Sequence, residues 1–298
     1  MNEVVLDNRP VGEGIVGMHP LSANTGMEIV GVDLRDPLPE PAFLEIRRAL
    51  SEWGVIFFRD QDLTPAQQIA FARRFGVVEE RKHPSTLGAM EGFPELSEIS
   101  RAPTAGRNVG GFWHTDQCFL PDPPLGSVLL ARTVPACGGD TMFAHMGAAC
   151  DRLSEGLKAM LRGMRAVHVR LNGYATDGML APGVSQEEYD AFLIKYAGVE
   201  ATHPVIGRHP ESGCEILYVN HAYTDRFEGW TRAESQPLIQ YLCELATRPE
   251  NVCRFRWEEG SLAFWENRSV VHYALDDYVG QDRVMHRCVV RGAWLEAS

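Results

Sequence analysis

Two neighbouring residues of the sequence carry side chains that can bind one metal ion, His114 and Asp116 in the segment Trp113-His114-Thr115-Asp116. On an extended strand, residues two positions apart point to the same face, with Cα atoms roughly 6–7 Å apart. The imidazole and the carboxylate can therefore converge on one ion. A His-x-Asp pair is common in proteins, so taken alone it indicates a metal site only weakly.

A third candidate ligand, His272, lies far downstream and follows a predicted strand, turn and strand. Two histidines and one carboxylate occupy one face of a metal and leave the opposite face open. This ligand set suits non-haem Fe(II), which needs free positions for O2 and for an oxidisable co-substrate. We therefore predict that these three residues are both the metal ligands and the catalytic centre. The same set can also hold zinc, but no general base for a zinc hydrolase accompanies it.

Two arginines follow His272 in the sequence, Arg283 and Arg287. Because they are four positions apart, they share one face of a predicted strand and lie roughly 13 Å apart along it. Inward-facing arginines need anionic partners, and a guanidinium group binds a carboxylate well through two parallel hydrogen bonds. At this separation they are predicted to hold two different anions, or two ends of one site. His286, between them, should face the other side of the sheet as a structural residue.

The elements that must position these residues are many short strands around a few helices. The hydrophobic patterns predict helices at 43–53, 64–75, 147–163 and 232–247. They predict strands at 55–58, 96–100, 126–132, 141–143, 166–170, 216–219, 253–257, 261–265, 269–272 and 283–292. This order predicts a mainly β protein with flanking helices, of the β-sandwich or jelly-roll kind.

The composition excludes several classes of protein. The chain has 298 residues, 45% of them hydrophobic and 23% charged, and is expected to form a single domain over residues 1–298. A net charge of −12 argues against a nucleic-acid or anionic-membrane partner. No apolar run is long enough to span a bilayer, and the N-terminus lacks the pattern of a signal peptide. The 7 scattered cysteines, without a CxxC motif, predict reduced thiols and a cytoplasmic location.

In combination, these motifs resemble the TauD/TfdA family of Fe(II)- and 2-oxoglutarate-dependent dioxygenases. The resemblance is carried by the order and spacing of His114-x-Asp116, Gly138-Gly139-Asp140-Thr141, His272-Tyr273-Ala274 and Arg283. Phe75-Gly76 and Trp265-Glu266-Asn267-Arg268 add to it, and the match covers most of the chain, from Leu21 to Trp294.

The resemblance implies a double-stranded β-helix (jelly-roll) core, with Fe(II) held by His114, Asp116 and His272. It implies that Arg283 binds the distal carboxylate of 2-oxoglutarate and that Thr141 adds a hydrogen bond to it. The expected reaction uses O2 and 2-oxoglutarate to oxidise a small anionic metabolite, in the first place by hydroxylation, and yields succinate and CO2.

Two further residues are assigned to the substrate by the same resemblance. Arg287 matches the arginine that lies near the metal end and meets an anionic substrate. His83, in Lys82-His83-Pro84, resembles a histidine that contacts the sulfonate in taurine enzymes, with an ordinary loop residue as the alternative. Trp113 and Phe119 are expected to pack around the iron end as core residues, with a place in the substrate pocket as the alternative.

The sequence departs from taurine enzymes on the substrate side. Those enzymes carry a Tyr after the loop His-Pro, where this chain has Ser85-Thr86, and an Asn before the first iron ligand, where it has Val109-Gly110-Gly111-Phe112. Taurine is therefore not the expected substrate. An aryloxyalkanoate, an alkyl sulfate, a sulfonate and an amino-acid derivative all suit Arg287.

Other outcomes stay open at this stage. The same iron site can perform desaturation, epoxidation or cyclisation, and a metal-binding jelly-roll protein without turnover is an alternative from another class. A homodimer or homotetramer is compatible with the sequence, because the apolar helix near Leu238–Leu245 can serve either an interface or the core.

Overall fold

The structure, a computed structural model, describes residues 16–80, 89–101, 110–171 and 186–297. Its helices are α1 (Glu40–Trp53), α2 (Pro65–Arg73), α3 (Met146–Asp151), α4 (Glu155–Arg162), α5 (Gln186–Tyr196) and α6 (Arg232–Ala246). Its strands are β1 (Gly17–Pro20), β2 (Met27–Val30), β3 (Val55–Phe58), β4 (Val77–Val78), β5 (Ala89–Met90), β6 (Phe93–Arg101), β7 (Gly126–Thr133), β8 (Thr141–His145), β9 (Arg165–Val169), β10 (Glu200–Pro204), β11 (Ile206–Arg208), β12 (Glu215–Leu217), β13 (Thr224–Phe227), β14 (Val252–Phe255), β15 (Leu262–Glu266), β16 (Val270–Ala274), β17 (Arg283–Arg291) and β18 (Glu296–Ala297).

Two sheets form the centre of the fold. The large sheet has the order β1-β2-β3-β15-β7-β17-β6-β5, with β4 paired to β17, and the small sheet has the order β14-β8-β16. All pairs in both sheets are antiparallel except β2 with β3. In the run β3-β15-β7-β17-β6 of the large sheet and throughout the small sheet, neighbouring strands are distant in sequence, as in a jelly roll. The predicted mainly β, jelly-roll fold is confirmed.

Side chains from both sheets meet in one buried layer. Leu129 of β7, Trp265 of β15 and Met285 of β17 come from the large sheet, and Phe143 of β8 and Val270 of β16 come from the small sheet. Because side chains alternate along a strand, residues two positions away from these point into the same layer. Because of this alternation, the candidate site residues of both sheets point into the space between the sheets.

Helices cover the outer face of each sheet. Helices α1 and α2 pack on the large sheet, while α3, α4 and α6 pack behind the small sheet. Helix α6 buries Ile239, Leu242 and Leu245 in that core, so its apolar side serves packing within the chain. None of the helices in the described part of the chain is both long and apolar enough to cross a membrane.

The helix predicted at 147–163 is wrong in one respect, because the structure has two helices there. Helix α3 ends at Asp151, and Ser154 begins α4 by accepting a hydrogen bond from the Leu157 backbone N–H at 3.3 Å. Serine competes with the helical backbone in this way and therefore favours an N-cap over a helix interior. The helical spacing of apolar residues continues through the break between α3 and α4, so the sequence pattern alone predicted one helix.

Candidate active site

The two candidate histidine ligands are joined through their backbones. The N–H of His114 donates to the carbonyl of His272 at 3.1 Å, and the N–H of His272 donates to the carbonyl of His114 at 2.9 Å. The N–H of Ala274 also donates to the carbonyl of Gly110 at 3.0 Å. The segment from Gly110 to His114 thus lies beside β16 at the edge of the small sheet and is joined to it by these hydrogen bonds. The sheet itself sets the spacing of the two imidazoles, whose ring centroids are 4.1 Å apart.

Three buried side chains converge at this place. Nε2 of His114 lies 3.7 Å from Oδ1 of Asp116, and Nε2 of His272 lies 4.0 Å from Oδ2 of the same carboxylate. The three potential ligand atoms all lie within 4.8 Å of one another. Ligand atoms on one face of an ion, each bonded at about 2.1 Å, lie about 3 Å apart, so these side chains would move closer by roughly 1–2 Å to bind one ion. The convergence expected from the sequence spacing is present.

The protonation of the imidazoles also fits a metal. Nδ1 of His114 donates to the carbonyl of Phe112 at 2.8 Å, which leaves the lone pair of Nε2 directed toward Asp116. Burial lowers the pKa of both histidines, and the second imidazole adds to the effect on His272. Neutral imidazole is the form that ligates a metal. Together with one carboxylate, this donor set is typical of Fe(II) sites that keep open positions.

The carboxylate of Asp116 is held ionised by its surroundings. Nη2 of Arg287 donates to Oδ2 of Asp116 at 2.6 Å, and the hydroxyl of Ser127 donates to the same oxygen at 3.3 Å. Arg287 also donates to Ser127, at 2.8 Å through Nη2. Burial favours the neutral acid, but Arg287, followed by the two histidines, lowers the pKa of Asp116 well below its usual range.

The other end of the site contains a cation of a different kind. Arg283 shares its face of β17 with Met285 and is 5% exposed, and burial lowers the pKa of its guanidinium group. Its Nε has no hydrogen-bond partner, and none of the described carboxylates forms an ion pair with it. The guanidinium carbon lies 5.8 Å from the ring of Trp257 and 6.0 Å from that of Tyr278. A buried arginine without an ion pair to a described carboxylate fits a ligand carboxylate.

Thr141 belongs to this same end. It points from β8 into the layer between the sheets, and its Oγ1 accepts a hydrogen bond from Nε1 of Trp257 at 2.9 Å. The ring of Trp257 thus connects Thr141 to Arg283. The structure places both predicted 2-oxoglutarate residues around one indole.

An aromatic wall stands on the open side of His114. The ring of Tyr223 lies 6.3 Å from the imidazole of His114 and 5.1 Å from the ring of Phe119, and Phe112 lies 5.0 Å from the imidazole. Tyr223 and Phe119 are both 7% exposed. Phe119 is therefore a buried residue at the iron end, as expected, and it is part of this wall.

Of the predicted site residues, His114, Asp116, His272 and Arg287 come together in one cluster, and Thr141 and Arg283 form a second one around Trp257. His83 lies outside the described residues. The sequence reasoning missed Ser127, Trp257 and Tyr223. Ser127 had one available signal, because it is a buried-strand polar residue within the otherwise apolar run from Gly126 to Ala131. Trp257 and Tyr223 had none, because buried aromatic residues are ordinary core residues.

The family model for "Taurine catabolism dioxygenase TauD, TfdA family" matches residues 18–289. The chain belongs to the TauD/TfdA family. Among curated proteins, this family member is 35% identical over 278 residues to an alpha-ketoglutarate-dependent sulfate ester dioxygenase of Pseudomonas putida, covering 92% of the chain and 89% of that relative. It is 32% identical over 281 residues to an (S)-phenoxypropionate/alpha-ketoglutarate-dioxygenase of Sphingobium herbicidovorans, covering 92% and 94%.

Solved structures agree with this assignment to the TauD/TfdA family. A taurine dioxygenase from Burkholderia xenovorans superimposes with a TM-score of 0.77 at 35% identity, covering 94% of this chain and 90% of that one. AAD-2, solved in complex with Mn(II) and N-oxalylglycine, superimposes with a TM-score of 0.76 at 28% identity, covering 94% and 98%. The chain is thus a 2-oxoglutarate-dependent non-haem iron dioxygenase, with Fe(II), 2-oxoglutarate and O2 as its cofactor and co-substrates.

Proposed function

We propose that this dioxygenase hydroxylates a small organic anion, and that His114, Asp116 and His272 hold its Fe(II). The observation that carries the ligand assignment is the convergence of the three buried ligand atoms within 4.8 Å, on a backbone bridge that fixes two of them. Fe(II) with 2-oxoglutarate supplies the oxidising power, by coupling O2 reduction to the release of succinate and CO2. The protein contributes the position of the substrate, the balance of charge and the exclusion of water.

Each group of the chain has a defined part in this proposal. Arg283 binds the distal carboxylate of 2-oxoglutarate, and Thr141, fixed by Trp257, adds a hydrogen bond to it. Arg287 holds Asp116 in its ionised form and offers its remaining charge to the anionic group of the substrate. The sheets bury these residues, so that each charge interaction is stronger than it would be in water.

The substrate class follows from the relatives and from the sequence differences. Relatives of this chain act on sulfate esters, sulfonates and phenoxyalkanoates by their names, and the residues Ser85-Thr86 and Gly110-Gly111 depart from taurine enzymes. We infer an alkyl sulfate, a sulfonate or an aryloxyalkanoate in preference to taurine. The backbone carbonyl of Gly110 lies beside β16. A Cβ atom added to this glycine would come within 3.1 Å of the His114 ring. The glycine thus keeps the space beside the imidazole free.

We also infer a reducing, cytoplasmic location and no nucleic-acid or membrane partner. All seven cysteines are unpaired, and five of them are buried. Structural disulfides are common in secreted proteins and rare in the cytoplasm. The net charge of −12 disfavours binding to nucleic acids and to anionic membranes.

The ligand assignment is tested by spectroscopy under anaerobic conditions. Fe(II) and 2-oxoglutarate should together give a visible charge-transfer band, because the keto acid chelates the iron. His114→Ala should abolish this band, whereas His19→Ala, at an exposed histidine of β1, should retain it. A band of full strength in His114→Ala would contradict the assignment.

The reaction type is tested by the mass of the product. Incubation with members of the proposed substrate class should yield succinate and a product that has gained one oxygen atom, or the fragments that follow from such a hydroxylation. A product that has instead lost two hydrogens would identify desaturation or ring formation at the same site.

A further inference from the structure

A second cation stands near the iron end, and no role has yet been given to it. Arg170 directly follows β9, where its backbone N–H donates to the carbonyl of Val199 at 3.0 Å. Its guanidinium carbon lies 5.1 Å from the ring centroid of Phe119, 5.1 Å from that of Tyr196 and 5.7 Å from that of Tyr223. Aromatic faces attract a guanidinium group and restrict its orientation. The position of this charge is therefore set by three rings from different parts of the chain.

Only one aromatic ring separates this charge from a proposed iron ligand. Tyr223 contacts Arg170 on one side, and on the other its ring lies 6.3 Å from the imidazole of His114.

The two arginines differ in their surroundings. Arg287 contacts Asp116, one of the proposed iron ligands. Arg170 lies against Phe119 and Tyr223, which are buried and apolar in their ring faces. The rings of Tyr223 and Phe119 thus lie between Arg170 and the cluster that contains His114 and Arg287.

We propose that Arg170 is a specificity-determining residue that binds a second acidic group of the substrate. The substrate class is then an organic dianion, in which an apolar segment separates two carboxylate, sulfonate or sulfate groups. This inference rests on the proposed function, since it concerns the substrate of the same iron site. A fixed guanidinium selects such a molecule because a charged hydrogen bond strengthens binding, whereas an apolar end gains nothing there.

Matched pairs of probe molecules test this proposal directly. Phenoxyacetate is compared with (4-carboxyphenoxy)acetate, and hexyl sulfate with 6-(sulfooxy)hexanoate, so that each pair differs by one acidic group. Binding to the anaerobic complex of the protein with Fe(II) and 2-oxoglutarate is measured by calorimetry and by the change in the charge-transfer band. In at least one pair, the dianion should bind about tenfold more tightly than the monoanion.

Variants of Arg170 identify the source of this preference. Arg170→Gln retains a planar group against the rings and should remove the preference while leaving the affinity for monoanions unchanged, and Arg170→Lys should retain part of it. Arg165→Gln is the matched control, since Arg165 is an exposed residue of the same strand that pairs with Glu228, and it should behave as the unmodified protein.

Three results would overturn the inference. Equal or absent binding of both members of each pair to the unmodified protein would exclude a second anion site. An equal loss of monoanion and dianion binding in Arg170→Gln would show that the residue only supports the fold of the wall. Absence of the charge-transfer band in the unmodified protein, before any probe is added, would be recognised separately and would overturn the proposed function together with the inference.

Discussion

Two buried arginines of this protein lie in opposite surroundings. Arg268, in the turn between β15 and β16, is 1% exposed and forms ion pairs with Glu266 and with Glu211. It also donates to the carbonyl of Ala293 at 2.8 Å. Arg283, at the start of β17, is 5% exposed and has no ion pair with a described carboxylate.

The difference separates a structural charge from a functional one. Removing an ion from water costs several kcal/mol, so a buried charge is normally offset by partners in the protein. The turn at Arg268 supplies these partners from the chain itself. Around Arg283 the described residues supply aromatic rings, and in the proposed function a ligand supplies the anion. The search for a binding site is therefore better guided by a buried charge that lacks a partner than by burial or charge alone.

The largest expected effect concerns Arg268 and its ion pairs with Glu266 and Glu211. Arg268→Met leaves the buried carboxylate of Glu266 without its cation, and we expect the free energy of unfolding to fall by about 3–5 kcal/mol. Urea denaturation of the metal-free protein measures this change. Adding Glu266→Gln to the same variant should restore part of the loss. A single variant as stable as the unmodified protein would show that Arg268 is not a structural charge.

The same region should make stability depend on pH. Nδ1 of His209 accepts from the backbone N–H groups of Glu211 and Ser212, so Nε2 carries the proton and donates to Glu266 at 2.7 Å. Burial, with the charge of Arg268, lowers the pKa of His209 from 6.5 to about 4. The unfolded chain then binds more protons than the folded one between these values.

The contribution of His209 to the free energy of unfolding is therefore fully present above pH 6.5 and is lost as the pH falls toward about 4. The total loss is up to about 3 kcal/mol. Urea denaturation at a series of pH values measures this slope. His209→Gln should make it shallower, whereas Arg283→Met should leave it unchanged. If the slope of unfolding free energy against pH is unchanged in His209→Gln, this histidine does not cause the pH dependence.

At the other arginine, stability and binding should respond in opposite ways. Arg283→Met replaces a buried charge with an apolar side chain, so the unfolding free energy of the metal-free protein should stay within about 1 kcal/mol or rise. The affinity for 2-oxoglutarate should fall by about 2 kcal/mol, roughly thirtyfold. Calorimetric titration with 2-oxoglutarate in the presence of Mn(II) measures the second effect, and Arg132→Met, on β7, is the control. A large loss of stability in Arg283→Met without a loss of affinity for 2-oxoglutarate would show that Arg283 is a structural charge and not a binding residue.

The smallest effect is expected at Thr141. Thr141→Val removes the hydroxyl that Trp257 binds, and the affinity for 2-oxoglutarate should fall by about 1 kcal/mol, roughly fivefold. Thr141→Ser retains the hydroxyl and should bind normally in the same titration. If Thr141→Val binds 2-oxoglutarate as tightly as the unmodified protein, the hydroxyl does not contribute to binding.

The sequence was sufficient for the parts of the site that depend on strand parity. His114 and Asp116 converge, and Arg283 and Arg287 share one face of β17, because these relations are local and follow from the two-residue repeat of a strand. The jelly-roll fold followed from many short strands and from the resemblance to a known family. The break between α3 and α4 was missed, because a single capping serine is a weaker signal than a continuous apolar stripe.

Partners that lie far apart in the chain could not be predicted in this way. The contact of Arg287 with Asp116 depends on how the two sheets face each other, and that of Trp257 with Thr141 depends on the pairing of β14 with β8. Arg170 was not considered as a site residue, because its relation to His114 runs through Tyr223, which belongs to another segment of the chain. Such relations are set by tertiary packing, which a local pattern does not contain.

The backbone bridge between His114 and His272 determines when the metal site can exist during synthesis. The ribosome releases His114 and Asp116 long before it releases His272, so the nascent chain carries an incomplete ligand set for most of its production. The bridge needs both histidines, so it can form only once the last quarter of the chain has been made. By the proposed ligand assignment, the complete ligand set is therefore available only to a chain that already contains the strands of both sheets up to β16.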